Sequence, residues 1–318
     1  VVQPESLKST SIAQEITECK VIDDESSEEY ESRFNRESAR LNANIAQLDT
    51  LESNLYKLIT DSGDTHIALE KTLLLSEKFP NNDLVNYHAL SLCSDDTDLC
   101  SESLVSETTD KLSDNSAAWL LKAIYHANKE DTAAVETAII EASRATAFNG
   151  HWHDYVGAIS NVYQHAGDIG SQLQDEIKMG YISAVALPSY GSLHKVCKQA
   201  STEKLTLVEA CLTAGQLLAR DSKTFLANFI GFSMQEIALE KLDRPDELSR
   251  LATVRQAHKE LLTQQAKATT LLWRNTPLRH QMLRQIMEHG EIAHAEFAIE
   301  EAIKLSNAPD IDECKTVN

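Results

Sequence analysis

The sequence predicts an all-α protein, an array of antiparallel helical hairpins with the character of an irregular α-solenoid. Three observations carry the prediction. Gly and Pro number 10 and 6 in 318 residues, well under half the share of an average chain, roughly 12%. A fold with many strands needs many turns, and turns consume these residues. Ala, Leu, Glu, Gln and Lys, all good helix formers, fill most segment interiors. No stretch alternates β-branched and polar residues as a half-buried strand does.

Taken in order, residues 1–27 read as an acidic, loosely ordered segment. From Val1 to Glu31 there are nine acids and two lysines, a composition that buries little surface. Helical pattern runs from 27 to about 60 and breaks at Asp61-Ser62-Gly63-Asp64. Further helices are expected at 65–78, 83–92, 101–112, 117–128, 132–146 and 151–165. Phe79-Pro80-Asn81-Asn82, Ser113-Asp114-Asn115-Ser116 and Phe148-Asn149-Gly150 separate them. Trp119, Leu120, Ile124, Trp152 and Tyr155 are the expected core of this first half, 28–168. The second half, 169–318, is expected to pack on the first as a further helical region. It breaks at Leu187-Pro188-Ser189 and at 219–222. Pro245 and Pro277 suit first helical turns, with Thr276 as an N-cap. Leu251, Val254, His258, Leu261, Gln265, Ala268 and Leu272 fall on one helical face. A last helix is expected from 277 to about 305.

Trp119 and Trp152 lie 33 residues apart, as do Asn82 and Asn115, each pair at equivalent places in successive hairpins. Trp119 with Ala123 and Ala142, and Ala68 with Leu75 and Pro80, resemble the tetratricopeptide repeat, a 34-residue helix-turn-helix unit. The resemblance covers about residues 49–166. It departs from the pattern at Lys129-Glu130, where the small turn residue is missing, and at Ala147, which replaces the closing Pro. It implies stacked hairpins whose grooves engage protein or peptide partners.

A net charge of −20 argues against nucleic acid as a partner. No apolar stretch is long enough for a transmembrane span. The chain starts at Val rather than Met, as expected of a processed or trimmed product. Six cysteines allow fifteen connectivities. Cys93 and Cys100 flank one short polar loop, and Cys197 and Cys211 flank another connection near Ser201. Cys19 and Cys314 remain, one near each terminus, and chain ends often lie close together. The pairs 93–100, 197–211 and 19–314 form a consistent set; the alternative is six thiols in a cytosolic protein. Disulfides imply an oxidising compartment, so a periplasmic or secreted location is expected.

Catalytic and metal motifs are fragmentary. Glu31-Ser32 resembles the glutamate-serine motif of lytic transglycosylases, but their downstream Gly-Leu-Met-Gln stretch is missing, and a general acid needs an apolar pocket. Ser192-Leu193-His194-Lys195, Ser201-Thr202-Glu203-Lys204 and Ser113-Asp114-Asn115 match pieces of the penicillin-recognising pattern in the wrong order, without its Lys-Thr-Gly strand. His151 and His153 on a helix would point apart. Glu291 and His294 could share a metal, but a di-iron bundle needs a second such pair and two more carboxylates. No catalytic residue, metal site or cofactor is therefore expected.

Charge distribution says more. Arg250, Arg255, Lys259, Lys267, Arg274, Arg279 and Arg284 are opposed only by Glu260 between 250 and 287, about +6 in an acidic chain. This segment is either a docking surface for an acidic partner or is neutralised internally, for example by residues 94–114. The function expected is a non-enzymatic exported scaffold or binding protein of a bacterial envelope. The alternatives are an envelope enzyme acting on cell-wall glycan through Glu31, or a subunit of a larger envelope assembly.

Overall fold

The computed structural model describes Ile16 and residues 27–60, 64–167, 171–185, 188–273 and 275–307. Among the described residues there are fifteen α-helices and no strand, only one isolated bridge between Asn115 and Ala147. The expected loose segment at 1–27 falls almost wholly outside the described residues, as does the pair Cys19–Cys314. Ile16 is buried in the C-terminal part of the core.

The long helix expected from 27 to 60 is two helices, α1 (Ser27–Ala46) and α2 (Leu51–Thr60). A reciprocal cap makes the break: the Ser53 amide donates to Thr50 Oγ1 at 3.1 Å, and the Thr50 amide donates to Ser53 Oγ at 3.0 Å. Such caps satisfy orphan amides at a helix start. Next come α3 (Thr65–Lys78), α4 (Asp83–Asp95), α5 (Glu102–Lys111), α6 (Ser116–Asn128), α7 (Thr132–Arg144) and α8 (Trp152–His165). Asp64, Asn82, Ser101, Asn115 and Asp131 cap five of these helices through their side chains. The α6–α7 turn, which lacks a small residue, is made by Glu130 in the left-handed region at φ 59°.

Helix α6 is the centre of the array. Ala117, Ala118, Leu120, Leu121, Ala123, Ile124 and Tyr125 are all buried, and a helix apolar all round must be covered all round. Each buried Leu or Ile contributes about 1.5–3 kcal/mol. Trp152 and Tyr155 are buried as expected, but Trp119 is only partly so. Its indole Nε1–H donates to the Ser113 carbonyl at 2.8 Å and Lys122 lies over its ring, so it seals the edge of α6.

Two hydrogen bonds of equal sequence span tie successive hairpins. Asn128 donates to the Ser94 carbonyl at 2.9 Å, and Asn115 to the Asn149 carbonyl at 2.8 Å, each 34 residues away. After α7 the stacking changes. α8 folds back onto α2, and α7 packs instead on α11 (Leu205–Asp221). Between them run α9 (Ser171–Ala184) and α10 (Gly191–Gln199); α12 (Phe225–Lys241) and α13 (Pro245–Leu272) follow. The expected apolar face of α13 is turned inward, with none of its seven residues exposed. The single helix expected after 277 is again two, α14 (Thr276–His289) and α15 (Glu291–Ser306), and Asn275 rather than Thr276 caps the first. Gly290 divides them at φ 93°, where a Cβ would sit 2.7 Å from the Lys223 carbonyl oxygen.

Cys93–Cys100 and Cys197–Cys211 are disulfides, and all four residues are buried. The first closes the turn after α4; the second pins α10 to α11.

Helices α11 and α12 approach backbone to backbone. A Cβ on Gly231 would come within 2.7 Å of both the Ala219 nitrogen and the Gly215 carbonyl oxygen. We expect Gly231→Ala to cost about 1–3 kcal/mol through overpacking against backbone. Gly157→Ala, where a Cβ meets nothing within 4 Å, should be neutral or stabilising by up to about 1 kcal/mol. Denaturant unfolding of the two variants checks the contrast; equal effects would refute the close-packing account.

Candidate functional site

The tight turn before α8 builds the most distinctive polar site. His151 adopts the left-handed conformation at φ 53°, which costs a non-glycine residue on the order of 1 kcal/mol. Three contacts hold it. Its amide donates to Asn149 Oδ1 at 2.9 Å, its Nδ1 lies 2.7 Å from Asp154 Oδ2, and its ring packs on Tyr87 at 4.9 Å between centroids. Asn149 is fixed in turn by Asn115, whose side chain accepts from the Asn149 amide as well as donating to its carbonyl.

His151 and His153 were expected to point apart on a helix. His151 precedes the helix, and its left-handed backbone brings both residues to the wall of one open cleft of about 620 Å³ between the starts of α4 and α8. A smaller cleft of about 280 Å³ lies on the other side of Asn149, His153 and Asp154. His151 holds the Asp154 carboxyl below the usual range, so the carboxylate stays charged. His151 Nε2 and His153 Nδ1 are buried without a partner.

Beneath the clefts lies a shell of buried rings. His88 Nδ1 meets the Tyr155 hydroxyl at 3.0 Å, and burial lowers the His88 pKa from 6.5 to about 4. Burial raises the phenols of Tyr87, Tyr155 and Tyr190 above their ordinary range, so they remain neutral. Tyr56 and Tyr163 share a hydroxyl contact at 3.2 Å. Sequence reading found the helix starting here but not the cleft. The one local signal is the run Asn149-Gly150-His151, a turn followed by two histidines and an aspartate.

The basic segment divides. Arg250, Lys259 and Arg284 are exposed. Arg255 is partly buried and pairs with Glu236 at 2.5 Å. Arg279 is an interior residue, 1% exposed. Its Nε donates to Asp175 Oδ2 at 2.9 Å and its Nη1 to the Trp273 carbonyl at 3.0 Å, while His280 reaches the same carboxylate at 3.1 Å. Arg279 is thus no part of a docking face, because it neutralises a buried acid. Neither Glu236 nor Asp175 lies in 94–114, the acidic stretch named as the internal counter-charge. Arg274 lies outside the described residues.

The other candidates carry structural bonds. Glu291, whose carboxyl is pushed up by burial, accepts from the Phe225 amide at 2.6 Å, and His294 Nδ1 contacts the Met282 carbonyl at 3.2 Å. Among the described residues no group of three His, Cys, Asp or Glu could hold a metal ion. Glu31 is exposed on α1. Ser201 accepts from the Glu203 amide, Lys204 pairs with Glu136, and Asn115 is a cap.

Two outcomes follow from the buried groups. Arg279→Ala should cost about 3–5 kcal/mol by leaving Asp175 buried and uncompensated. The double variant with Asp175→Ala should cost clearly less than the sum of the singles, and additivity would refute direct pairing. For His88 the folded pKa of about 4 lies below the unfolded 6.5. The unfolded chain therefore takes up the proton first as pH falls, and stability drops between about pH 6.5 and 4 by roughly 3 kcal/mol. His88→Gln should flatten that limb in unfolding measured across this range; an unchanged slope would assign it elsewhere. No family model, curated protein or solved structure matches the chain.

Proposed function

We propose that this chain is an exported helical scaffold that binds a protein or peptide partner without performing chemistry. The observation that carries the reading is the open cleft between the starts of α4 and α8, walled by the ends of separate hairpins and by polar side chains held in place from behind. Tetratricopeptide-like stacking supports it, since the 34-residue ties join neighbouring hairpins over 94–149. Buried disulfides at 93–100 and 197–211 support export, because such bonds persist in oxidising compartments. No described helix is long and apolar enough to cross a membrane.

A second reading, a subunit of a larger envelope assembly, draws on exposed Arg250, Lys259 and Arg284. These three could meet an acidic partner surface.

Two measurements test the proposal. A photo-crosslinking residue at Asn161, on the cleft wall, should yield one discrete partner adduct in cells that the same probe at Glu107 does not. Equal or absent adducts at both positions count against a cleft-bound partner. Thiol labelling of the denatured, unreduced chain should leave Cys93, Cys100, Cys197 and Cys211 unmodified; full labelling would overturn export.

A further inference from the structure

One side chain from the start of the sequence sits in the core of the last helices. Ile16 is 8% exposed and belongs to a hydrophobic cluster whose other buried members all come from residues 225–302, among them Leu261, Leu272, Met282 and Ile299. Taking an isoleucine out of water is strongly favourable, so Ile16 is an anchor for whatever chain surrounds it. Connectivity then bounds its neighbours. Consecutive Cα atoms are about 3.8 Å apart, so Glu15 and Glu18 start within roughly 8 Å of the Ile16 backbone whatever path the chain takes.

What the seat offers matches what the segment carries. Phe229, Phe297 and Ile303 pack against the same cluster and are only partly buried, so the apolar seat extends beyond one side chain. Ile12, four residues before Ile16, supplies a second apolar group for it. The cluster members Leu261 and Met282 belong to the basic run 250–287, and exposed Lys259 and Arg284 each stand two residues from one of them. Residues 10–26 carry five acids and one lysine. Opposite charges flanking an apolar anchor fix partner and register. The expected pair Cys19–Cys314 fits the same placement. Cys19 follows Ile16 by three residues, and Cys314 follows the end of α15 by eight.

We infer that residues 10–26 are an intramolecular ligand of the C-terminal helices: Ile16 plugs the apolar seat of α13, α14 and α15, and the flanking acids cover Lys259 and Arg284. The segment is a strap that masks in cis a basic surface otherwise open to an acidic partner. Its helices are not those of the α4–α8 cleft, so its failure leaves the cleft reading untouched. Charge pairs at the surface are screened by salt, so the strap loosens as ionic strength rises.

The test uses the full chain and a fluorescein-labelled peptide of residues 10–26 carrying Cys19→Ser, read by anisotropy. The wild-type chain, its seat already filled, should bind the peptide at least about tenfold more weakly than the Ile16→Asp chain, whose own segment is released. Placing Ile16→Asp in the peptide instead should cost at least about tenfold in affinity for that variant chain. In the Ile16→Asp chain, Lys259→Glu with Arg284→Glu should weaken the peptide at least about fivefold. Lys111→Glu with Lys198→Glu, the same charge change on α5 and α10, should alter it less than about twofold. Equal losses in the two double variants, or equal binding by the wild-type and Ile16→Asp chains, overturn the proposal. Hydrogen exchange separates a ligand from ordinary core. Ile16→Asp should speed amide exchange across residues 261–302, and saturating peptide should restore the wild-type rates. Unchanged exchange, or faster exchange that the peptide does not reverse, overturns the proposal. A photo-crosslinking residue in place of Ala13 should give an adduct of monomer mass. An adduct of dimer mass overturns the contact in cis and assigns the seat to a second copy of the chain.

Discussion

The fold depends on how closely α11 and α12 approach. Two glycines, Gly215 and Gly231, remove the side chains that would hold the helices apart, so backbone lies against backbone. The neighbouring helices of the second half are positioned from that pair. α11 presents its other side to α7 and α6, while α12 carries α10 and α13. An extra methyl at this contact would shift both helices, and the shift would be felt at α13 and α15 beyond. Close packing transmits small volume changes because interiors hold few voids.

Helix arrays have a weakness that this chain meets with polar ties. Apolar faces of helices can slide past one another at little cost, since burial is non-directional. Hydrogen bonds between elements fix register. Asn115 with Asn149 locks α6 to the start of α8, Asn128 with Ser94 locks the end of α6 to α4, and Arg279 with Asp175 locks α14 to α9. The two disulfides act on the same problem covalently. Closing loops of 7 and 14 residues, each restrains the unfolded chain by an amount worth about 2–3 kcal/mol. The buried ion pair contributes specificity more than stability, because desolvating both charges consumes most of their attraction.

What the sequence revealed follows from which interactions are local. Helix content, the breaks at 79–82, 113–116 and 148–150, and the inward face of α13 were legible, since periodicity and caps are written within a few residues. The local disulfide pairs were legible for the same reason. Two long helices were misread as continuous. In one the Thr50–Ser53 cap interrupts a good helical pattern. In the other Gly290 was passed over because its need for glycine comes from Lys223, 67 residues away. Arg279 was misplaced on a surface because charge runs do not reveal which member turns inward; its buried acid, Asp175, lies more than 100 residues earlier. The cleft was invisible for a similar reason. Glu52, Asp83 and Asp154 belong to three helices with no common motif.

The two charge features of the molecule are therefore different in kind. The basic segment is conspicuous in sequence, yet part of its charge is already matched: Arg279 by buried Asp175 and Arg255 by Glu236 at the surface. The cleft acids are inconspicuous in sequence: Glu52, Asp83 and Asp154 come from the first turns of three separate helices. Charge that is already matched cannot recognise a partner, however dense it looks along the chain. The polar wall of the cleft between α2, α4 and α8 comes from helix starts that the fold brings together, not from any run of charge along the chain.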